Sequence, residues 1–271
     1  MNPPILTMLT DFGLEDTYVA QMKGVILSVA PSVRIVDVTH QIPPQDVAAA
    51  SRAILSILPV FPEGTIHLCV VDPGVGSQRR FLLVRADNQW ILAPDNGMLT
   101  PLLRSGRDLE IRELSETWYR RNPCSHTFHG RDIVAPAAAC LANGTSPDRL
   151  GPLLNRPPKL LDHSAPQSIP NGLLGIVVDI DRFGNLLTDI TPDLWSGRSP
   201  DEITVRIAGK SLTPLRQYYS QVSGGELLAL VNSFGTLEVA CRNGNAANLL
   251  GAVRGTSVEL AWNHGNSERP S

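Results

Sequence analysis

The stretch TIHLCVVDPGVG, residues 65–76, sets an apolar run directly against a sharp turn. Residues 65–71, rich in aliphatic and β-branched side chains, predict a buried strand. After Asp72, a proline and two glycines let the backbone fold tightly, and Arg79 follows seven residues after the aspartate. Two interpretations of Asp72 are therefore possible: it is only a turn residue, or the turn holds its carboxylate in place for a chemical role.

Apolar runs alternate with helical patterns on both sides of this strand, through residue 150. Helical spacing of apolar residues after Asp16, a candidate helix cap, predicts the first helix. The alternation favours an α/β domain over residues 1–150, with a mainly parallel sheet covered on both faces. The further predicted strands are 5–9, 34–38, 81–86 and 89–93, and the further predicted helices are 46–58, 96–103 and 131–142.

The composition changes after residue 150. Residues 151–170 hold five prolines without periodicity, which is typical of a linker or wrapping segment. Short strand patterns separated by glycine, asparagine and serine fill 171–271, among them LLGIVVDI, EITVRI, ELLALV, TLEVAC and SVELAW. This second region therefore predicts a smaller antiparallel domain resembling a β-barrel or sandwich.

The bulk composition excludes several classes of protein. The 271-residue chain has a net charge of −3 and no basic run, so nucleic-acid binding is not expected. Apolar stretches fall short of the roughly 20 residues that a membrane span needs, and MNPPILTMLTDFG is unlike a secretion signal. The four scattered cysteines indicate neither a zinc site nor a disulfide framework. We therefore expect a cytoplasmic protein without a membrane partner.

Polar clusters follow strands or open a helix at four places. They are Thr10–Gly13, Asp72–Gly76, Asp95–Gly97 and Thr127–Asp132. Each has an ordinary interpretation as a turn or a cap, but open α/β sheets bind ligands at the carboxyl ends of their strands. Asp-Phe-Gly and His-Gly-Arg-Asp occur here in the reverse of the order found in kinases, and no P-loop is present, so those two classes are excluded.

The motifs taken together, in their order along the chain, are far more specific than any one of them. LTDFG, VVDPGVG, APDNG, FHGRD and DRFGN closely resemble the S-adenosylmethionine hydroxide adenosyltransferases, relatives of the fluorinase and chlorinase, over about residues 5–262. The resemblance implies metal- and cofactor-independent hydrolysis of S-adenosylmethionine to adenosine and methionine. It also implies an α/β N-terminal domain, a barrel-like C-terminal domain, and a homotrimer with sites between subunits.

The same resemblance implies roles for individual residues. Asp72, Arg79 and His129 fall on the family's water-handling trio, and Asp11 on its ribose-binding aspartate. The implied methionine contacts are Asp181, Asn185 and Ser233, and the implied adenine contacts, from a neighbouring chain, are Asn245 and Ala246. The chain departs from the family pattern at Val134 and Asp189, and it carries Phe234 and Cys241 where the halogenating relatives carry arginines.

Three other functions remain open at this point. Halide transfer to the same carbon is the first, although the Asp72 carboxylate would repel a halide. A metal-dependent phosphohydrolase is the second, and its candidate ligands are Asp11, Asp72, Asp95, His129 and Asp132. The third is a nucleoside-binding sensor without catalysis, which would bind the ligand without turning it over.

Overall fold

The computed structural model describes residues 3–162 and 165–262, which form two compact units that divide after Asp162. The first unit contains six strands: β1 (Ile5–Thr10), β2 (Arg34–Thr39), β3 (Ile66–Val70), β4 (Phe81–Ala86), β5 (Gln89–Pro94) and β6 (Glu110–Glu113). Its α-helices are α1 (Tyr18–Val29), α2 (Val47–Ile57), α3 (Thr100–Leu103) and α4 (Ala135–Ala142), the last preceded by a wide π turn over Gly130–Val134.

The strands of this unit form one sheet in the order β2-β1-β3-β5-β4-β6. The four strands from β2 to β5 run parallel, and β4 pairs antiparallel with both of its neighbours. Buried residues of α1 and α4 cover one face of the sheet, and those of α2 and α3 cover the other. The predicted mainly parallel sheet, covered on both faces, is confirmed.

Local details differ from the sequence prediction. Thr17, not Asp16, precedes the first residue of α1, so the predicted cap is wrong. The pattern predicted as a helix over 96–103 becomes helical only from Thr100, because an Asn-Gly turn occupies its first half. Residues 151–162, the first part of the predicted linker, belong to the first unit and hydrogen-bond to its strand β6. For example, the Leu154 amide donates to the Ile111 carbonyl at 2.8 Å.

The second unit is an antiparallel sheet in the order β11-β10-β14-β8-β9-β13-β12, with β7 also paired to β8. An isolated bridge between Arg216 and Leu230, near the two outer strands, brings the sheet close to a closed barrel, as predicted. Aliphatic side chains fill its core. The strands are β7 (Gln167–Ile169), β8 (Gly172–Ile180), β9 (Leu186–Thr188), β10 (Ile203–Ile207), β11 (Lys210–Leu212), β12 (Leu227–Val231), β13 (Leu237–Cys241) and β14 (Ser257–Trp262), and the helix is α5 (Ala246–Leu250).

Residues 3–162 and 165–262 contain no helix with the length and apolarity needed to cross a membrane.

Candidate active site

A cleft of about 380 Å³ opens at one edge of the first unit's sheet, and three predicted site residues line it: Asp11, Asp72 and His129. The two aspartates lie together at the carboxyl ends of β1 and β3 because of the register of these neighbouring parallel strands. Thr10, the last residue of β1, is paired with Val70, the last residue of β3. Because both chains leave the sheet at the same level, the aspartates that follow them reach one cleft.

The turn after β3 brings Arg79 back onto Asp72. Nε of Arg79 donates to Oδ1 at 2.6 Å and to Oδ2 at 2.7 Å, and Nη2 also donates to Oδ2. Both side chains are about 95% buried. Gly76, at φ +82°, makes the turn possible, because a Cβ there would lie 2.9 Å from the His126 carbonyl oxygen. The turn thus holds Asp72 in a buried ion pair at the cleft.

His129 completes a contiguous group of three side chains. Its Nδ1 lies 3.2 Å from Nη1 and 3.1 Å from Nη2 of Arg79. The Phe81 ring supports both partners: the Arg79 guanidinium carbon lies 4.5 Å from its centroid, and the two aromatic ring centroids are 6.1 Å apart. Burial and then the Arg79 charge lower the pKa of His129, outweighing the opposite effect of Asp72. A neutral imidazole results at neutral pH.

Aromatic side chains form much of the remaining wall of this cleft. Phe12, Tyr18 and Phe128 contact one another with ring centroids 5.2–5.8 Å apart. Sequence reasoning did not single out these rings as site residues, although Phe12 and Phe128 lie inside the motifs LTDFG and FHGRD. Asp11 is oriented by a backbone donor, because its Oδ2 accepts from the Gln45 amide at 2.8 Å.

The five candidate metal ligands do not form one group, because Asp95 and Asp132 do not line the cleft that contains Asp11, Asp72 and His129. Asp95 is paired with Arg80, whose Nη2 donates to Oδ2 at 2.6 Å. Asp132 is fully buried and accepts from Nε of Arg131 at 2.7 Å and from the Ser125 amide at 2.8 Å. Throughout 3–162 and 165–262, no three His, Cys, Asp or Glu side chains are grouped closely enough to hold a metal ion.

The second unit has its own cleft, of about 810 Å³, and Asp181, Asn185 and Ser233 are among the residues that line it. Oδ1 of Asp181 accepts from the Asn185 amide and Oδ2 from the Asn185 side chain, both at 2.9 Å. Phe234 and Cys241, the departures from the halogenating relatives, line the same cleft. No arginine therefore faces the cleft from those two positions.

Glu238 is a further acidic residue of this cleft that sequence reasoning missed. It lies on β13 and is 97% buried, and the Tyr219 hydroxyl donates to its Oε1 at 2.8 Å. Burial raises the pKa of this carboxyl, and the nearby Asp181 charge adds to the effect. Burial also raises the pKa of Tyr219, to about 12. Glu238 lies within the otherwise apolar sequence LEVAC, which gave no sign that its carboxyl group faces a cleft.

Asn245 and Ala246, the predicted adenine contacts, lie beside the DRFGN loop. The Asn245 side chain caps α5 by accepting from the Asn248 amide at 2.8 Å, and it packs so closely on Gly184 that a Cβ there would overlap it. Ala246 is fully buried in the core of the unit. In this structure both side chains support the loop and the helix.

Family profiles match both units. The profile of the SAM hydroxide adenosyltransferase N-terminal domain matches residues 6–151, and that of the C-terminal domain matches residues 175–266. The chain belongs to the SAM hydroxide adenosyltransferase family.

Individual relatives of this family member agree in length and fold. It is 40% identical to the (R)-S-adenosyl-L-methionine hydrolase of Thermus thermophilus, covering 93% of this chain and 97% of that protein. It is 35% identical to the enzyme of the same name from Salinispora tropica, covering 95% and 97%, and 30% identical to the fluorinase of Actinopolyspora mzabensis, covering 95% and 97%. A solved structure of an uncharacterized conserved protein from Thermotoga maritima superimposes with a TM-score of 0.87 at 36% identity, covering 94% of this chain and 99% of that one.

Proposed function

We propose that this SAM hydroxide adenosyltransferase hydrolyses S-adenosyl-L-methionine to adenosine and L-methionine. The observation that carries the proposal is the buried Asp72–Arg79 ion pair, joined to a neutral His129 at the wall of a cleft that also contains Asp11. The reaction is a displacement at C5′ of the ribose, in which water is the nucleophile and the sulfonium leaves as a neutral thioether. The departing group needs no acid, so catalysis depends on placing and deprotonating water.

Asp72 and His129 share that task. The Asp72 carboxylate accepts one hydrogen of the water and takes its proton as the C5′–O bond forms and the C5′–S bond breaks. The N–H of His129 at Nε2 donates to the water oxygen and fixes its position. Sulfonium and water become adenosine, methionine and one proton, which Asp72 releases to solvent. No step needs a metal ion or a redox cofactor.

Arg79 acts through these two residues. It is 96% buried and donates to Asp72 while its guanidinium lies against Nδ1 of His129, so it is a positioning residue for both. Asp11 also lines the cleft, and its carboxylate is suited to accept hydrogen bonds from the two ribose hydroxyls. Halide transfer is disfavoured, since a halide ion would meet the Asp72 carboxylate.

The cleft of the second unit is proposed to bind the methionine end, with Asp181 and Glu238 facing the substrate ammonium group. Asn245 is the proposed adenine contact, contributed by a neighbouring chain of a homotrimer whose sites lie at subunit interfaces, and the fully buried Ala246 supports it from the core of the unit. The relatives' names specify the R epimer, the configuration at the sulfonium sulfur. We propose the same preference for this chain.

The test is incubation of the purified protein with each sulfonium epimer in oxygen-18 water, with and without a chelator. We expect one labelled oxygen in the adenosine hydroxyl, faster turnover of the R epimer, and no effect of the chelator. Unlabelled adenosine, or a halogenated nucleoside when chloride or fluoride is added, would contradict water attack. Light scattering at the assay concentration tests the homotrimer, and a fully active monomer would contradict it.

A further inference from the structure

A buried histidine outside the proposed catalytic group lies under the Asp11 loop. His40 directly follows β2 and is 97% buried. Its Nδ1 lies 2.8 Å from the Thr10 hydroxyl at the end of β1, and its Nε2 lies 3.0 Å from Oδ1 of Asp37. That second contact is short but poorly aligned for a hydrogen bond. The other oxygen of Asp37 accepts from Lys23 at 2.6 Å, so this series of side-chain contacts extends from the buried His40 ring to the surface.

The direction of these bonds follows from the donors available. The Asp37 carboxylate beside Nε2 has no hydrogen to donate, so the ring hydrogen is favoured at Nε2 and the Thr10 hydroxyl donates to Nδ1, while the hydroxyl oxygen accepts from the Phe12 amide at 3.3 Å. With Nδ1 accepting, the ring hydrogen lies on Nε2, facing the Asp37 carboxylate. The backbone carbonyl of His40 also accepts from the Gly13 amide, at 2.7 Å. His40 therefore holds both ends of the four-residue segment that carries Asp11.

Thr, His and Asp in this order look like a nucleophilic triad, but burial argues otherwise. Thr10 has no exposed surface, and its hydroxyl points at His40 and the Phe12 amide instead of the cleft. A nucleophile must reach its substrate. What the geometry can do is fix the backbone on either side of Asp11, whose side chain does line the cleft.

We propose that His40, acting through the Thr10 hydroxyl, is a positioning residue that sets the orientation of Asp11 toward the ribose diol. This inference rests on the proposed role of Asp11. It predicts that loss of the Thr10 hydroxyl weakens recognition of the diol while leaving the water-handling group intact.

The molecule supplies a matched control in the same strand. Thr7, three residues earlier on β1, is also buried, and its hydroxyl lies 2.8 Å from Nδ1 of another buried histidine, His67. His67 continues to the Gln89 side chain and not to the Asp11 loop. Thr7→Val and Thr10→Val therefore remove the same kind of hydrogen bond from the same strand, at different distances from the cleft.

The experiment compares Thr10→Val, Thr10→Ser, His40→Asn and Thr7→Val in the full-length protein. Calorimetry measures the affinities for adenosine and 2′-deoxyadenosine, and steady-state kinetics separates kcat from KM. We expect Thr10→Val and His40→Asn to lower the preference for adenosine about tenfold and to raise KM by a similar factor, with kcat nearly unchanged. Thr10→Ser should restore the preference, and Thr7→Val should keep it.

Three results would overturn the proposal, and each points to a different cause. If Thr10→Val retained the wild-type preference for the ribose, His40 would not position Asp11, and the proposed function would stand. If Asp11→Asn kept the wild-type preference between the two nucleosides, or if the wild-type protein showed no preference at all, the diol assignment would fail and the positioning role with it. An equal loss of preference in Thr7→Val would also overturn it, by indicating a general structural effect.

Discussion

Nδ1 of His129 lies 3.1 Å from Nη2 of Arg79, a group that can only donate hydrogen bonds. The imidazole nitrogen must therefore accept, which is possible only while it carries no proton. A neutral ring that accepts at Nδ1 carries its hydrogen at Nε2. The arginine thus fixes both the charge and the tautomer of the histidine, and with them the hydrogen-bond donor that the proposed mechanism requires at Nε2.

The first prediction concerns the titration of His129. Burial and Arg79 favour the neutral form, so the ring should protonate below its ordinary value of 6.5 and remain neutral at physiological pH. Arg79→Met removes the neighbouring positive charge and leaves Asp72, so it should raise the pKa of His129. Nitrogen-15 NMR of labelled protein reports both the midpoint and the tautomer. A wild-type midpoint at or above 6.5, or a hydrogen on Nδ1, would contradict the assignment.

The second prediction concerns Asp72 as the acceptor of the water proton. Asp72→Asn keeps the shape and suits a turn equally well, but removes the base. Turnover should fall by about two to four powers of ten, with a much smaller change in KM. The loss in an Asp72→Asn, His129→Ala double variant should be smaller than the sum of the single losses, because the residues act as one unit. A stable Asp72→Asn protein with wild-type turnover would refute the mechanism.

Asp95 provides both a control for that variant and the third prediction. It too follows a strand and is paired with an arginine, Arg80, but it does not line the first unit's 380 Å³ cleft. Its Oδ1 accepts from the Lys159 amide at 2.7 Å, so it ties the segment after residue 150 to the sheet. Asp95→Asn should lower the free energy of unfolding by about 3 kcal/mol while turnover per folded molecule stays close to wild type. Urea denaturation and kinetics on the same preparation measure the two effects separately.

The sequence predicted the buried parts of the fold better than its edges. Strands such as β3 and β5 are apolar on both faces, and their composition is enough to identify them. By contrast β6, with the sequence EIRE, lies at the edge of the sheet and alternates with charged residues, so it was not recognised. The three-residue strand β9 is stabilised by pairing with β8 and β13, and the short helix α5 by its Asn245 cap and its buried alanines, so no local sequence pattern identifies either element.

The residues of the candidate site likewise divide into those that the sequence predicted and those that it missed. Asp11, Asp72 and His129 were predicted from motifs, and all three line one cleft, the two aspartates because β1 and β3 are adjacent and parallel. Tyr18 and Glu238 were missed, since their places in the two clefts depend on how elements pack. The sequence could not reveal that Asp95 and Asp132 form ion pairs with arginines. Asp72 is also paired with an arginine, and what separates it from these two residues is its place in the lining of the cleft.

The last prediction concerns the pH dependence of stability and follows from His67. The ring is fully buried between the Thr7 hydroxyl and the Gln89 side chain oxygen, and burial lowers its pKa, against a smaller opposite effect of the Gln89 hydrogen bond. Below 6.5 the unfolded chain therefore binds a proton at this position that the folded protein does not. Stability should fall as the pH drops from 8 to 5, by at most about 1.4 kcal/mol per pH unit for this group.

A substitution isolates this contribution from other groups. Glu238, whose pKa is raised, acts in the opposite direction, and Asp37 and Asp132, whose pKa values are lowered, act only near and below their ordinary value of 3.8. His67→Gln should be less stable than wild type at pH 8, because a buried hydrogen-bonded ring is lost. The difference should shrink toward pH 5, since glutamine takes up no proton on unfolding. Urea midpoints measured for both proteins across this range test the prediction, and a difference that stays constant or grows toward pH 5 would show that His67 does not titrate on unfolding as its burial requires.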